Sequence, residues 1–192
     1  MRKLLSIGIQ QIQIFFYKLK GLVFKKQLHL NSEILKVAYH EAGHALMAHF
    51  VGWSIHFIKI EPVDATLYMG ETNYDFNDEL PLAFENLHRT LIRILGGPVS
   101  QMIYEDSDFL IPNQLENDGE KINELTLILF PEDENEGYTY FVTYIKRTLL
   151  EQSYFSAREE IVIHLATSFK MSKEEFMLIV EKYSLQTSTL AL

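Results

Sequence analysis

"VAYHEAGHALMAHF", residues 37 to 50, sets two histidines and a glutamate inside a run that is otherwise apolar and suited to burial. Just upstream, Ser32 followed by Glu33 reads as an N-cap with an acid in the first turn, and no proline or glycine interrupts before Gly43. The pattern predicts a helix from about Glu33 to Phe50. Its apolar residues (Ile34, Leu35, Val37, Ala38, Ala42, Ala45, Leu46, Met47, Phe50) fall nearly all round the axis, as in a helix packed on several sides. Polar groups on such a helix need partners. His40 and His44, four apart, stack on one face, while Glu41 points about 100° away.

This is the H-E-x-x-H arrangement. Zinc takes compact nitrogen and oxygen ligands in a tetrahedron, and a histidine pair at i and i+4 on a rigid helix supplies two of them. Glu41 then stands beside the vertex left to water and can serve as general base on zinc-bound water attacking a polarised carbonyl. A glycine inside a helix costs about 1 kcal/mol relative to alanine, so Gly43 predicts that something approaches the helix closely there.

A third protein ligand must come from elsewhere. One class of such sites uses a histidine six residues after the second, but that position is Phe50. The downstream acids Glu61, Glu85, Glu105 and Asp118 are candidates, with His49, His56 and His88 as weaker choices. The chain has no cysteine, so thiolate ligation and disulfides are excluded, and a reducing, cytoplasmic setting is the simpler expectation.

With 192 residues, 47% of them hydrophobic, the chain suffices for one packed domain. The net charge of -9 argues against nucleic acid as a partner. That charge is uneven. Residues 1–30 hold six basic side chains and no acidic one, leaving 11 basic against 26 acidic, or -15, for residues 31–192. The uncharged run from Leu4 to Tyr17 is too short and too rich in glutamine to span a bilayer. The 1–30 segment is expected to be basic and amphipathic. It would dock on the domain, form a mobile tail, or lie peripherally on the inner face of a membrane, with Ile7, Ile14, Phe15 and Leu22 dipping in and Lys18, Lys25 and Lys26 at the headgroups.

Together "VAYHEAGHAL", "HFIKIEP", "LIRILGGPVSQMIYED" and "ENDGEKINEL" resemble, in content and order, the peptidase domain of FtsH-type zinc metalloproteases, over about Glu33 to Tyr183. The resemblance implies a mainly α, zincin-like helical peptidase domain over residues 31–192, with a small β-ribbon beside the H-E-x-x-H helix. It also implies zinc held by His40, His44 and Asp118, with Glu41 catalytic. A physical argument agrees on Asp118: "NDGEKINELTLILF" reads as a helix beginning near Asn117, whose free N–H groups and dipole would orient a carboxylate.

Alternation in His56–Glu61 and Thr66–Tyr74 predicts two strands around "EPVDA". By the same resemblance, Phe57, Ile58, Lys59 and Ile60 are the edge that aligns an extended polypeptide substrate through its main chain; the sequence alone is equally consistent with a plain structural hairpin. "LENLHRTLIRILGGPVSQMIYE" predicts a helix pair broken at "GGP", with Leu91, Ile94 and Leu95 in the core. The family is usually rich in alanine and glutamate after the double glycine, whereas Pro98, Gln101 and Met102 stand here, and Gly119 replaces a larger residue after the aspartate. "PEDENEG" reads as a charged loop. Beyond it come two or three helices, with Ser172 and Glu175 as a capping box and His164 as no ligand.

The sequence contains no G-x-x-x-x-G-K-[ST] loop, so it is expected to act as a stand-alone peptidase on flexible or unfolded chains, as a homo-oligomer or beside a separate unfoldase. The alternative is a non-catalytic zinc-binding interaction or regulatory module of the same descent. A third reading has no metal, with His40 and His44 as hydrogen-bonded core residues of a helical scaffold.

Overall fold

The computed structural model describes residues 31–64, 66–75, 84–107, 110 and 118–188. The chain divides into two units, Met1–Ser32 and Glu33–Leu192. The basic segment expected over residues 1–30 lies outside the described residues. From Ser32 onward the elements are, in chain order, α1 (Ser32–Phe50), β1 (Ile55–Pro62), β2 (Tyr68–Tyr74), α2 (Phe84–Tyr104), α3 (Asp118–Leu129), α4 (Glu134–Leu150), α5 (Gln152–Ser168), β3 (Lys170–Ser172) and α6 (Lys173–Lys182). The second unit is mainly helical with one small sheet, as expected.

α1 is buried along most of its length, from Ile34 to Ala48, with Ala38, Ala42, Ala45, Leu46 and Met47 fully enclosed. Each large apolar side chain so buried contributes about 1.5–3 kcal/mol, which is what holds a polar triplet in place on this helix. α2 runs antiparallel to α1. Tyr39 stacks on Tyr104 at 4.4 Å, and Gly43 meets Gly96, where a Cβ on Gly43 would collide with the Gly96 carbonyl and one on Gly96 would lie 2.6 Å from the Gly43 carbonyl. The close approach predicted at Gly43 is therefore the backbone of α2.

α2 corrects one expectation. It is a single helix through "GGP" with Pro98 inside it, not a pair broken there. A proline in a helix interior costs about 3 kcal/mol through its missing N–H and ring clash. Every residue from Leu91 to Ser100 is buried, Leu91, Ile94 and Leu95 among them, and that packing outweighs the local cost. α2 in turn packs on α3 and α4, and α4 on α5.

The ribbon is also larger than predicted. β1 pairs antiparallel with β2 (Ile60 opposite Gly70) and, on its other side, with β3 (Ile58 opposite Met171), giving the order β2-β1-β3. Phe169, left-handed at φ 60°, ends α5 and turns the chain straight into β3, and its carbonyl accepts from the Ile60 N–H at 2.8 Å. The capping box of Ser172 and Glu175 at the start of α6 is present. "PEDENEG" is a loop only as far as Asp133, which caps α4 by accepting from the Glu136 N–H at 2.9 Å, so the remaining residues form a first helical turn. Gly137 is buried there because the Phe130 ring fills the space of a Cβ. No described helix is long and apolar enough to cross a membrane.

Candidate metal centre

Two turns of α1 and the first residue of α3 bring three donors together. His44 Nε2 lies 2.9 Å from His40 Nε2 and 3.0 Å from Asp118 Oδ2, and His40 Nε2 lies 3.4 Å from the same oxygen. Zinc–nitrogen bonds of about 2.0–2.1 Å in a tetrahedron put neighbouring donors about 3.3 Å apart, so these separations match a shared small ion. Among the described residues this trio forms a group able to hold a metal.

The outer ring nitrogens decide which atoms face inward. His44 Nδ1 donates to the Arg93 carbonyl at 3.0 Å, and His40 Nδ1 donates to Gln101 Oε1 at 3.2 Å. Both Nδ1 atoms therefore carry the hydrogen, which leaves the two Nε2 lone pairs directed at each other and at a carboxylate oxygen. Three lone pairs at such distances need a cation between them. A proton on His40 is one answer and a divalent ion is the other; the donor set of two imidazoles and a carboxylate suits zinc.

The charges agree. Burial disfavours the imidazolium of His40, but its hydrogen bond to Asp118 and the nearby carboxylates of Glu41 and Asp118 outweigh this and raise its pKa above the ordinary value. Burial likewise opposes ionisation of Asp118, yet hydrogen bonds from His40 and His44 hold its pKa well below the usual carboxylate range. The stabilisation from a raised His40 is complete below its unfolded value of 6.5 and lost as pH rises through the folded value. That from a depressed Asp118 is present above 3.8 and lost as pH falls towards the folded value. The metal-free protein is thus expected to draw most stability from this pair between pH 3.8 and 6.5. Zinc, which competes with the His40 proton, should move the optimum upward. Melting temperatures of chelated and zinc-loaded protein across pH 4 to 9 check this, and coincident pH profiles would contradict it.

Glu41, 6% exposed, lies on the adjoining face of α1 and lines the same cleft of about 650 Å³ as the three donors. The Thr72 hydroxyl donates to its Oε2 at 2.7 Å and lies 3.2 Å from its main-chain carbonyl, while its carboxylate rests on Gly70, where a Cβ would overlap it. Gly97 of α2 similarly lets the His44 ring pass where a Cβ would strike it.

The other sequence candidates lie elsewhere. Glu61 is exposed and pairs with Lys59, His56 pairs with Asp75, His49 packs on Phe176 and His88 on Phe141. Glu105 sits at the far end of the cleft with Lys36 at 3.7 Å, and the side chain of Glu85 is outside the described residues. His164 approaches the Lys170 carbonyl, as a non-ligand should.

Phe57–Ile60 need correction as a substrate edge. β1 is the central strand, and both its sides are occupied by β2 and β3, so it has no free main-chain edge. The strand lining the cleft is β2, through Tyr68 to Thr72. Three functional groups escaped the sequence reading: Thr72, Gln101 and the Arg93 carbonyl. Only Gln101 carried a signal, as a departure from the resembled pattern.

No protein-family profile matches the chain. Over 96 residues, 48% of this chain, it is 38% identical to the ATP-dependent zinc metalloprotease FtsH 1 of Rhodopirellula baltica, and the matched segment covers 14% of that protein's length. The chain is thus similar, over part of its length, to an FtsH-type zinc metalloprotease, and it carries a His-His-Asp group of the kind that could bind a metal.

Proposed function

We propose that this chain is a zinc-dependent endopeptidase that hydrolyses flexible or unfolded polypeptides, with His40, His44 and Asp118 holding the ion and Glu41 acting as general base. The observation that carries this reading is the convergence of three lone pairs, both histidines locked by outer hydrogen bonds, beside a buried carboxylate that Thr72 holds in the same cleft. Zinc, when bound, would supply Lewis acidity, polarising a carbonyl and making water a nucleophile near neutral pH.

The chain's own residues do the rest. Glu41, steadied by Thr72, takes the proton from the attacking water and returns it to the departing amine. Among the described residues β2 pairs only with β1, so its outer edge can hydrogen-bond an extended substrate along the cleft, with little regard to side chains. A folded substrate would not lie flat on that strand, which restricts cleavage to unfolded chains or to those delivered by an unfoldase.

The test is zinc stoichiometry together with casein cleavage for wild type, His44→Ala and Asp118→Ala. The expected result is about one zinc per wild-type chain, near none in either variant, and cleavage only where zinc is kept. Full zinc in the Asp118 variant would remove the proposed ligand set. A zinc-loaded wild type inert towards a range of unfolded proteins would instead leave an interaction module.

A further inference from the structure

Every acidic group lining the cleft has a partner. Glu33 and Glu105 pair with Lys36, Glu71 with Lys59, Glu41 with Thr72, and Asp118 with the two histidines. The cleft's two cations differ sharply. Lys36 is neutralised by its glutamates. Arg93 is 9% exposed, its Nε is buried without a hydrogen-bond partner, and no carboxylate lies within ion-pair reach of its guanidinium among the described residues.

What holds Arg93 is aromatic. Its Cζ lies 4.4 Å from the centre of the Tyr74 ring and 5.6 Å from that of Trp53, the two rings themselves stacked at 5.5 Å. Such contacts fix the plane of a guanidinium and leave its N–H fork available. They do not replace the hydration lost on burial. Arg158, the other large buried cation, also has unpartnered nitrogens, Nε and Nη1, but it is fully enclosed between Tyr39 and Phe155 with Glu159 at 3.7 Å, and it is not among the residues lining this cleft. The main chain of Arg93 receives His44 Nδ1, so its side chain is rooted one residue contact from the metal ligands.

We infer that Arg93, clamped by Tyr74 and Trp53, is a carboxylate-recognition site at the His44 end of the cleft that takes an anionic group of the polypeptide substrate. The inference rests on the peptidase reading for its ligand, and it gives the cleft a direction. An otherwise acidic channel would accept a carboxylate only where it meets this one unpaired fork, so the anion registers the chain along β2. Either the α-carboxylate at a chain end or an Asp or Glu side chain supplies the same planar, two-oxygen group.

The experiment measures binding, by fluorescence anisotropy, of labelled peptides to zinc-loaded Glu41→Gln protein, alongside cleavage by wild type. One pair of peptides differs only in a C-terminal acid or amide, the other only in an internal Asp or Asn. At least one acid should bind about 10-fold more tightly than its neutral twin, and this preference should collapse towards 1 when Arg93→Met is added. A preference that follows the terminus identifies a chain-end site; one that follows the side chain identifies an acidic-residue site. Equal binding within both pairs, or a preference that survives Arg93→Met, overturns the inference. Should Arg93→Met fail to fold by circular dichroism, the pairs are compared on zinc-stripped Glu41→Gln protein, where the preference must persist and its loss overturns the site. Cleavage without discrimination would sink this site and leave the peptidase standing. Arg93-dependent discrimination without cleavage would do the reverse.

Discussion

Glu41→Gln should retain one zinc per chain and lose peptidase activity by a factor of roughly 10²–10⁴, the usual contribution of a positioned general base. Glutamine has the same shape and leaves an amide oxygen for the Thr72 hydroxyl, which donates at 2.7 Å to the carboxylate, so the packing against Gly70 survives. What disappears is the ability to take a proton. The loss should therefore fall on kcat with KM little changed, since Glu41 is not expected to hold substrate. The comparison also separates the two zinc-binding readings. An interaction module has no use for a base, and burying a carboxylate at 6% exposure, where Thr72 donates to it, carries a desolvation cost that a purely structural zinc site would have no reason to keep. Cleavage by the variant at the wild-type rate would show that Glu41 is not the base.

The histidine half of the candidate metal site was legible because it is local. The i, i+4 spacing of His40 and His44 survives any tertiary arrangement that keeps the helix, and a helix sealed on all sides is readable from its apolar residues alone. Asp118 was legible for a different reason: a helix start orients a carboxylate wherever the helix is docked, and the resemblance supplied the docking. The substrate edge failed because alternation identifies a strand without naming its neighbours. Three residues, Lys170 to Ser172, more than 100 positions downstream, close the side of β1 that the hairpin alone would have left open. The break at "GGP" failed because a proline rule is a local preference, and a run of buried residues from Leu91 to Ser100 overrides it.

The glycines show where local and tertiary information meet. Gly43 signalled a close contact but could not name Gly96, and the double glycine was read as a break when it is a contact surface: Gly96 admits α1, and Gly97 admits the ring of His44. Gln101 likewise stood out as a departure, while its role as acceptor for His40 depends on the antiparallel register of α1 and α2, which no single helix encodes. Arg93 carried no signal at all, since its carbonyl serves one purpose and its side chain another.

Gly97→Ala gives the sharpest separation of site from scaffold. By helix propensity alone, alanine for glycine inside α2 should stabilise the protein by about 1 kcal/mol. Its Cβ, however, would fall on the His44 ring, 2.7 Å from both Cδ2 and Cε1 and closer still to Nε2, the atom turned towards His40 and Asp118. The ring cannot swing aside cheaply, because Nδ1 is held by the Arg93 carbonyl at 3.0 Å and the side chain is only 9% exposed. Parting the helices would be costly too, because it would open the close Gly43–Gly96 contact and the fully buried packing of Met47, Leu95 and Val99 around it. The strain therefore goes into the orientation of His44. Zinc affinity is expected to fall by roughly 10- to 100-fold, the scale on which outer supports of metal ligands act, although no ligand has been changed. The metal-free variant should melt several degrees lower at most, since an overpacking cost of about 1–3 kcal/mol is partly offset by the propensity gain of about 1 kcal/mol. Equilibrium competition for zinc against a chromophoric chelator reads the affinity directly. An unaltered zinc constant in Gly97→Ala would mean that the His44 imidazole has more freedom than its buried, doubly held position allows, and with it that the geometry of the three donors is not what selects the ion.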